Sequence, residues 1–375
     1  MPHRMIQIKL IGAHLLFALI MNSTPSLLAV FQVEFGLGVF HSSVLPLSLT
    51  FFSMVANLFV GFLIGHIGQK VVLLTAVAMQ VIGLLLVSLA PGFVVILVGF
   101  SCIGLATGAA FTAMTTVYSE LPLRYQNFGL YHAFFGVGGI LAPVFISLWL
   151  DGGLEYRSLF GVYTLLFVLL LILLVSSRAI TNQKFREFAA ADMLRVVLRP
   201  LILMGVAAFG LYAAIEIGGA TWSVSAGMSI FDLASRPANL LLSAFWLVFT
   251  FSRVLTDAAA RRVGTVSLIR WCLLLATAAL IVWISGLSPY AFVVLGLALG
   301  PVFPAFQKYM NALLPRAQRG LFNGLTYLAV GVSSTAFIPL MGAIGEYNLA
   351  FAYIPLAVAS VLMILAVSAI PRLSA

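Results

Sequence analysis

The chain has 375 residues, 63% of them hydrophobic and 8% charged, with a net charge of +9 and a mean hydropathy of +1.16. No soluble domain buries that much apolar surface, whereas a bilayer core accepts runs of about 20 apolar residues as helices. A soluble active site is therefore excluded, and the function lies inside or across a membrane.

Taken in chain order, twelve spans are predicted, at 10–33, 42–64, 71–89, 93–119, 127–150, 157–177, 200–225, 238–260, 266–285, 289–313, 321–344 and 349–370. The apolar runs are continuous rather than alternating, which favours helices over the strands of a barrel. The fold class expected is an all-α membrane protein with twelve transmembrane helices.

The basic balance could suggest a nucleic-acid partner, but its distribution does not. Of the nineteen Lys and Arg, all except Arg157 and Arg236 fall on one side of the membrane or in spans that end there. That is the positive-inside bias, and it places both termini in the cytoplasm. A multi-pass protein of the inner (plasma) membrane is expected, with the lipid bilayer as its setting. Cys102 and Cys272 lie in apolar spans and read as packing residues. Arg4 and Lys9 before an apolar run resemble a signal peptide. No clean cleavage site follows, so an uncleaved first span is expected.

The longest polar stretch, 178–199, is basic and amphipathic and divides the spans six and six. It reads as a cytoplasmic linker lying partly on the membrane surface, between a half at 1–177 and a half at 200–375. Three landmarks recur between the halves at one offset of 196 residues: Gly68 with Gly264, Gly104 with Gly300, and Pro143 with Pro339. A shared offset points to an internal repeat. Repeats with an even number of spans have the same orientation and place a substrate site between the halves near mid-membrane.

With these features the chain resembles the major facilitator superfamily. The loop after the second span reads Gly61, Phe62, Leu63, Ile64, Gly65, His66, Ile67, Gly68, Gln69, Lys70. It is similar to that family's gating motif at Gly61, Gly68 and Lys70. Gly65 stands where the family has Asp, and His66 where it has a basic residue. YHAFFGVGGILAP (131–143), LYAAIEIGGATW (211–222) and GPVFPAF (300–306) resemble the fucose-permease-like sugar symporters. The resemblance implies two six-helix halves and proton-linked uptake of a sugar by alternating access. That branch uses acids in its first and fourth spans. Here the first has only Glu34 at its outer end and the fourth only Glu120 at its cytoplasmic end, so either the proton site lies elsewhere or the coupling differs.

The residues offer one such place. Glu216 is deep in the seventh span, where an ionised carboxylate is expensive and intramembrane acids usually face a cavity. The alternative for Glu216 is a structural hydrogen bond to another helix. Tyr212 lies on its face of the helix. His132, ahead of the glycines 136, 138 and 139, is a second candidate for proton coupling, and His14 reads as a packing residue. Asn22, followed by Pro25 and Ser26, could stand where the first helix opens. Gln307 follows Pro301 and Pro304, and Tyr327 shares a face with Asn323 and Ser334. Amide, hydroxyl and aromatic groups suit a polyhydroxylated solute, with Trp222 supplying a ring face. Each of these residues alone could equally make ordinary bonds between helices. Arg253 and Lys308 are expected to reach the cytoplasmic surface, with Asp257 paired to Arg253 one turn away.

No Walker A sequence, metal cluster or nucleophile motif is present, so no cofactor, ATP drive or enzymatic activity is expected. The expectation is a monomeric secondary transporter whose partners are protons and a small polar solute, with a sugar preferred. A proton-driven efflux pump for drugs or amphipathic metabolites is the alternative, and a non-transporting receptor a third.

Overall fold

The computed structural model describes residues 2–374 apart from 120, 123–124, 126–127, 178–179, 181 and 183–196. Side chains are further left aside at 2, 61–62, 119, 128–130, 132, 316–321, 323 and 372–374. The amphipathic stretch expected as a linker falls largely outside the described residues. Among those described, twelve helices are long and apolar enough to cross a membrane.

The chain divides into two compact units, Met1–Gly36 with Val44–Glu187, and Leu37–Ser43 with Phe188–Ala375. The first contains α1 (Pro2–Phe35), α3 (Val44–Ile67), α4 (Gln69–Ser88), α5 (Phe93–Ser119), α6 (Phe128–Asp151) and α7 (Tyr156–Val175). The second contains the short α2 (Val39–Ser42), α8 (Pro200–Ala213), a π-helical turn (Ala214–Gly218) and α9 (Gly219–Phe231). After these come α10 (Ser235–Val254), α11 (Thr256–Val263), α12 (Thr265–Ile284), α13 (Ala291–Leu299) and α14 (Val302–Leu313). Last are α15 (Arg316–Gly345), a 3₁₀ turn (Phe351–Tyr353) and α16 (Ile354–Ser374).

Helices form here because lipid offers no partner for a free backbone group. Helix α7 shows how they pack. Leu159, Tyr163, Phe167, Leu170 and Leu174 recur at helical spacing and are buried. Leu165, Leu169 and Ile172 on the opposite side are exposed and equally apolar. Such a helix is hydrophobic all round, as a membrane span should be.

Glycines set the closest approaches. A Cβ at Gly104 or Gly108 would strike the carbonyls of Leu49 and Ser53, so α5 packs on α3 backbone to backbone. In the second unit Gly296 and Gly300 meet the carbonyls of Phe245 and Phe249 in the same way, packing the α13–α14 span on α10. These matched contacts correct one landmark of the repeat. Leu49 and Ser53 do correspond to Phe245 and Phe249 at an offset of 196. Gly104 and Gly108 correspond to Gly296 and Gly300, at 192. The chain from Gly264 to Gly296 is four residues shorter than that from Gly68 to Gly104, because α13 starts nearer to its first contact glycine than α5 does. Gly68 and Gly264 keep the offset of 196 and the same backbone, with φ 89° and 84° ahead of α4 and α12. Only glycine adopts that conformation without strain.

Several boundaries differ from expectation. α1 runs unbroken through Pro25. The side chains of Asn22 and Ser23 fold back on the carbonyls of Ala18 and Leu19, at 2.8 and 2.7 Å, rather than opening the helix. The seventh span continues to Phe231, because the Ser- and Gly-containing segment after 225 is buried to Gly227. The tenth span breaks at Gly300–Pro301.

Candidate functional site

The seventh span, Pro200–Phe231, has 32 residues. Glu216 is therefore at its midpoint, about 24 Å from Pro200 at 1.5 Å per residue. It lies on the π-helical turn Ala214–Gly218. A π turn inserts one residue into the i→i−4 ladder and often marks a functional position. The carbonyls around it find other donors. Thr221 Oγ1 donates to Ile217 at 2.7 Å, and Tyr353 Oη donates to Gly219 at 3.0 Å. Nothing in the segment AIEIGG betrays the turn at the level of hydrophobic periodicity.

Glu216 is half-buried and shares a side-chain hydrogen bond with Tyr212, within the field of Arg253. Tyr212 is buried, and its hydroxyl accepts a hydrogen bond from Arg253 Nη2 at 3.3 Å. The same hydroxyl lies 3.4 Å from the Leu299 carbonyl, to which it can donate. Its single proton thus has two acceptors to choose between, the carboxylate and the carbonyl. Arg253 Nε donates to Gly300 O at 3.3 Å. Its guanidinium lies 4.4 Å from the centre of the Phe249 ring and 5.9 Å from that of Phe303, where the ring faces attract the cation.

Arg253 is the residue that sequence reasoning missed. It was expected at the cytoplasmic surface, and it turns instead toward the break between α13 and α14. Pro304 has no N–H, so the carbonyl four residues before it, at Gly300, lacks its helical donor. That proline was the available signal. Asp257 does not pair with Arg253. It forms an exposed ion pair with Lys308 at 2.7 Å, whose ammonium holds the Asp257 carboxyl below the usual carboxylate range.

The other expected site residues fall in several places. Tyr327 on α15 is 51% exposed and within electrostatic reach of Arg253. Gln307 on α14 is half-buried. Trp222 is fully buried, and its indole N–H donates to the Ile338 carbonyl at 3.2 Å. It ties α9 to α15 and presents no open ring face. Asn22 is buried in the first unit and bonded to its own helix. The side chain of His132 lies outside the described residues. His14 is enclosed by the rings of Phe111, Tyr131 and Phe135.

The motif after the second span is a structural knot. Gly61 and Gly65 lie within α3, and Gly68 turns the chain into α4. A Cβ on Gly68 would collide with the side chain of Asn182. Asn182 Oδ1 accepts the backbone N–H groups of Lys70 and Val71 at 3.1 and 3.4 Å, and Nδ2 donates to Ile67 O at 2.9 Å. Lys70 Nζ reaches the Ser177 carbonyl at 2.9 Å. Both partners follow the sixth span, so the motif clasps the start of the chain's central polar stretch. Among the described residues no group of His, Cys, Asp and Glu could hold a metal ion.

The sequence matches the Major Facilitator Superfamily over residues 10–339. The chain belongs to that family. Solved structures of similar fold include the nucleoside transporter NupG, at 12% identity over 97% of this chain and 99% of that one, with a TM-score of 0.80. The peptide transporter POT matches at 13% identity, over 98% and 94%, with a TM-score of 0.81. A bacterial homolog of the human lysosomal transporter Spinster matches at 14%, over 99% and 96%, with a TM-score of 0.73. At these identities the likeness establishes the fold. Among curated proteins none matches the sequence. As a major facilitator protein the chain is a multi-pass membrane transporter of a small molecule and not an enzyme.

Proposed function

We propose that this major facilitator protein is a proton-coupled secondary transporter of a small polar solute, working by alternating access, with Glu216 as the proton carrier. The observation that carries this reading is the midpoint position of Glu216 on a π-helical turn, hydrogen-bonded to Tyr212 beside Arg253. A carboxyl group at that depth changes charge only if something is arranged to receive the change. The Tyr212 proton, able to serve either Glu216 or Leu299, is such an arrangement.

A sugar is the polar solute supported by the amide of Gln307, the exposed phenol of Tyr327 and the likeness to fucose-permease-like segments. A plasma-membrane protein with both termini in the cytoplasm is part of this reading, and the basic residues gathered on one side support that orientation.

The test is transport in reconstituted vesicles. Glu216→Gln imitates the protonated acid. Substrate exchange down its own gradient should survive, while accumulation driven by a pH gradient is lost. A Gln variant that still accumulates solute under a pH gradient removes Glu216 from the coupling.

A further inference from the structure

The middle of the second unit contains two charges of opposite sign, Glu216 and Arg253, with Tyr212 bonded to both. The surrounding elements supply no third. On α15 and α16, which pack against the π-helical turn, no ionisable acid, base or histidine occurs between Gly320 and Gly345 or between Ile354 and Pro371. Tyr327 and Tyr353 are the phenols there. Helix α9 carries no charged residue, and on α8 Tyr212 is the only titratable group. Arg236 lies at the far end of α10 from Arg253, Lys308 is paired with Asp257, and Arg270 on α12 donates to Ser368 Oγ at 3.0 Å. Arg253 is therefore balanced by Glu216.

Protonating Glu216 removes that balance and leaves a guanidinium alone within a membrane span. A charge within a membrane span without a partner is unfavourable. The arginine is also equipped to take a replacement. Of its five N–H groups, one is given to Gly300 and one to Tyr212. The other three meet no protein acceptor among the described residues. They belong to a planar fork that matches the two oxygens of a carboxylate, and the side chain is half-exposed and so can be approached.

We infer that the transported solute carries one negative charge, as a carboxylate, and that it binds Arg253 when Glu216 is protonated. One proton then enters with one anion, and the net charge of the site is the same empty and loaded. A phosphate monoester, at about −1.5 to −2 near neutral pH, overshoots this balance. The inference rests on Glu216 as the proton carrier. Within the small polar solutes it selects a hydroxylated carboxylic acid in place of a neutral sugar.

Thermal stabilisation of the purified protein at pH 5.5 and pH 7.5 tests it, using lactate and gluconate, with glycerol and glucose as neutral counterparts and glucose 6-phosphate as the phosphate. At least one monocarboxylate should stabilise the wild type, more strongly at pH 5.5, and the neutral solutes should not. Glu216→Gln should bind the carboxylate equally at both pH values. Arg253→Gln should weaken that binding about tenfold or more. Arg253→Lys, which keeps the cation, should retain part of it and serves if the Gln variant does not fold. Stabilisation by glucose 6-phosphate alone, by neutral solutes alone, or by no monocarboxylate overturns the inference, as does carboxylate binding unaffected at Arg253→Gln. If binding depends on Arg253 but stays pH-dependent in Glu216→Gln, the proton role of Glu216 fails while the anion site stands.

Discussion

The Gly300 carbonyl accepts the Arg253 Nε–H at 3.3 Å, in place of the helical N–H that Pro304 cannot supply. A charged side chain thus completes the hydrogen bonding of a broken span. Pro304→Ala restores a backbone donor at that position. Pro304 stands in the first turn of α14, where a proline is tolerated, so the Ala variant should fold and melt much as wild type does. It should nevertheless transport more slowly, because Arg253 then competes with the backbone for Gly300. Unchanged transport would show that the break is merely structural.

Close backbone approach at Gly104 gives a second test. Gly104→Ala drives a methyl group into the Leu49 backbone, whereas Gly12 has nothing within 4 Å of an added Cβ. Overpacking of this kind costs about 1–3 kcal/mol. Gly104→Ala should lower the melting temperature and the yield of folded protein, and Gly12→Ala should do neither. Equal behaviour of the two would reject the tight α3–α5 packing.

The ion pair Asp257–Lys308 makes a pH-dependent prediction. The folded-state acidity of Asp257 is increased by Lys308. Its contribution to stability is therefore present above the ordinary Asp range near pH 4 and disappears as pH falls through the lower folded value. Both side chains are well exposed, so the contribution is at most about 1 kcal/mol and is screened by salt. Asp257→Asn should differ slightly from wild type at pH 7 in low salt. The difference should vanish at high salt, and as the pH falls well below the ordinary Asp range. A difference that persists in 1 M salt would point to a role beyond the pair.

Topology can be checked by cysteine labelling. Cysteines introduced at Ser158 or Ser235 should react with an impermeant reagent applied outside intact cells, and one at Thr181 should not. The reverse pattern would invert the orientation.

Much of this fold is written in hydrophobic runs. The fourth span is predicted at 93–119 and has the bounds of α5; Pro91–Gly92 and the polar residues after Ser119 frame it. The seventh was cut short at 225, since Ser229 and the weakly apolar end conceal a buried helix. Glu216 and Tyr212 were legible as candidates because a deep acid is rare and helical spacing places Tyr212 beside it. Arg253 was misread because its position near a helix end suggests snorkelling to the surface. Its real partner is a carbonyl 47 residues along the chain, made available by a proline. The π-helical turn left no trace in periodicity, since five residues shift the phase too little to see.

Segment Leu37–Ser43 belongs to the second unit although its sequence neighbours on both sides belong to the first. There the Phe40 N–H donates to Glu346 Oε2 at 2.7 Å, and Val39 and Ser43 meet Gly345 and Gly342. The halves are consequently not interchangeable cassettes at the gene level. A fragment that begins at the central polar stretch encodes its own helices but omits the piece that finishes the end of α15. Chimeras between relatives that swap everything after residue 187 pair a foreign Glu346 position with the resident loop. Swaps that carry 37–43 along with the C-terminal half keep the two matched.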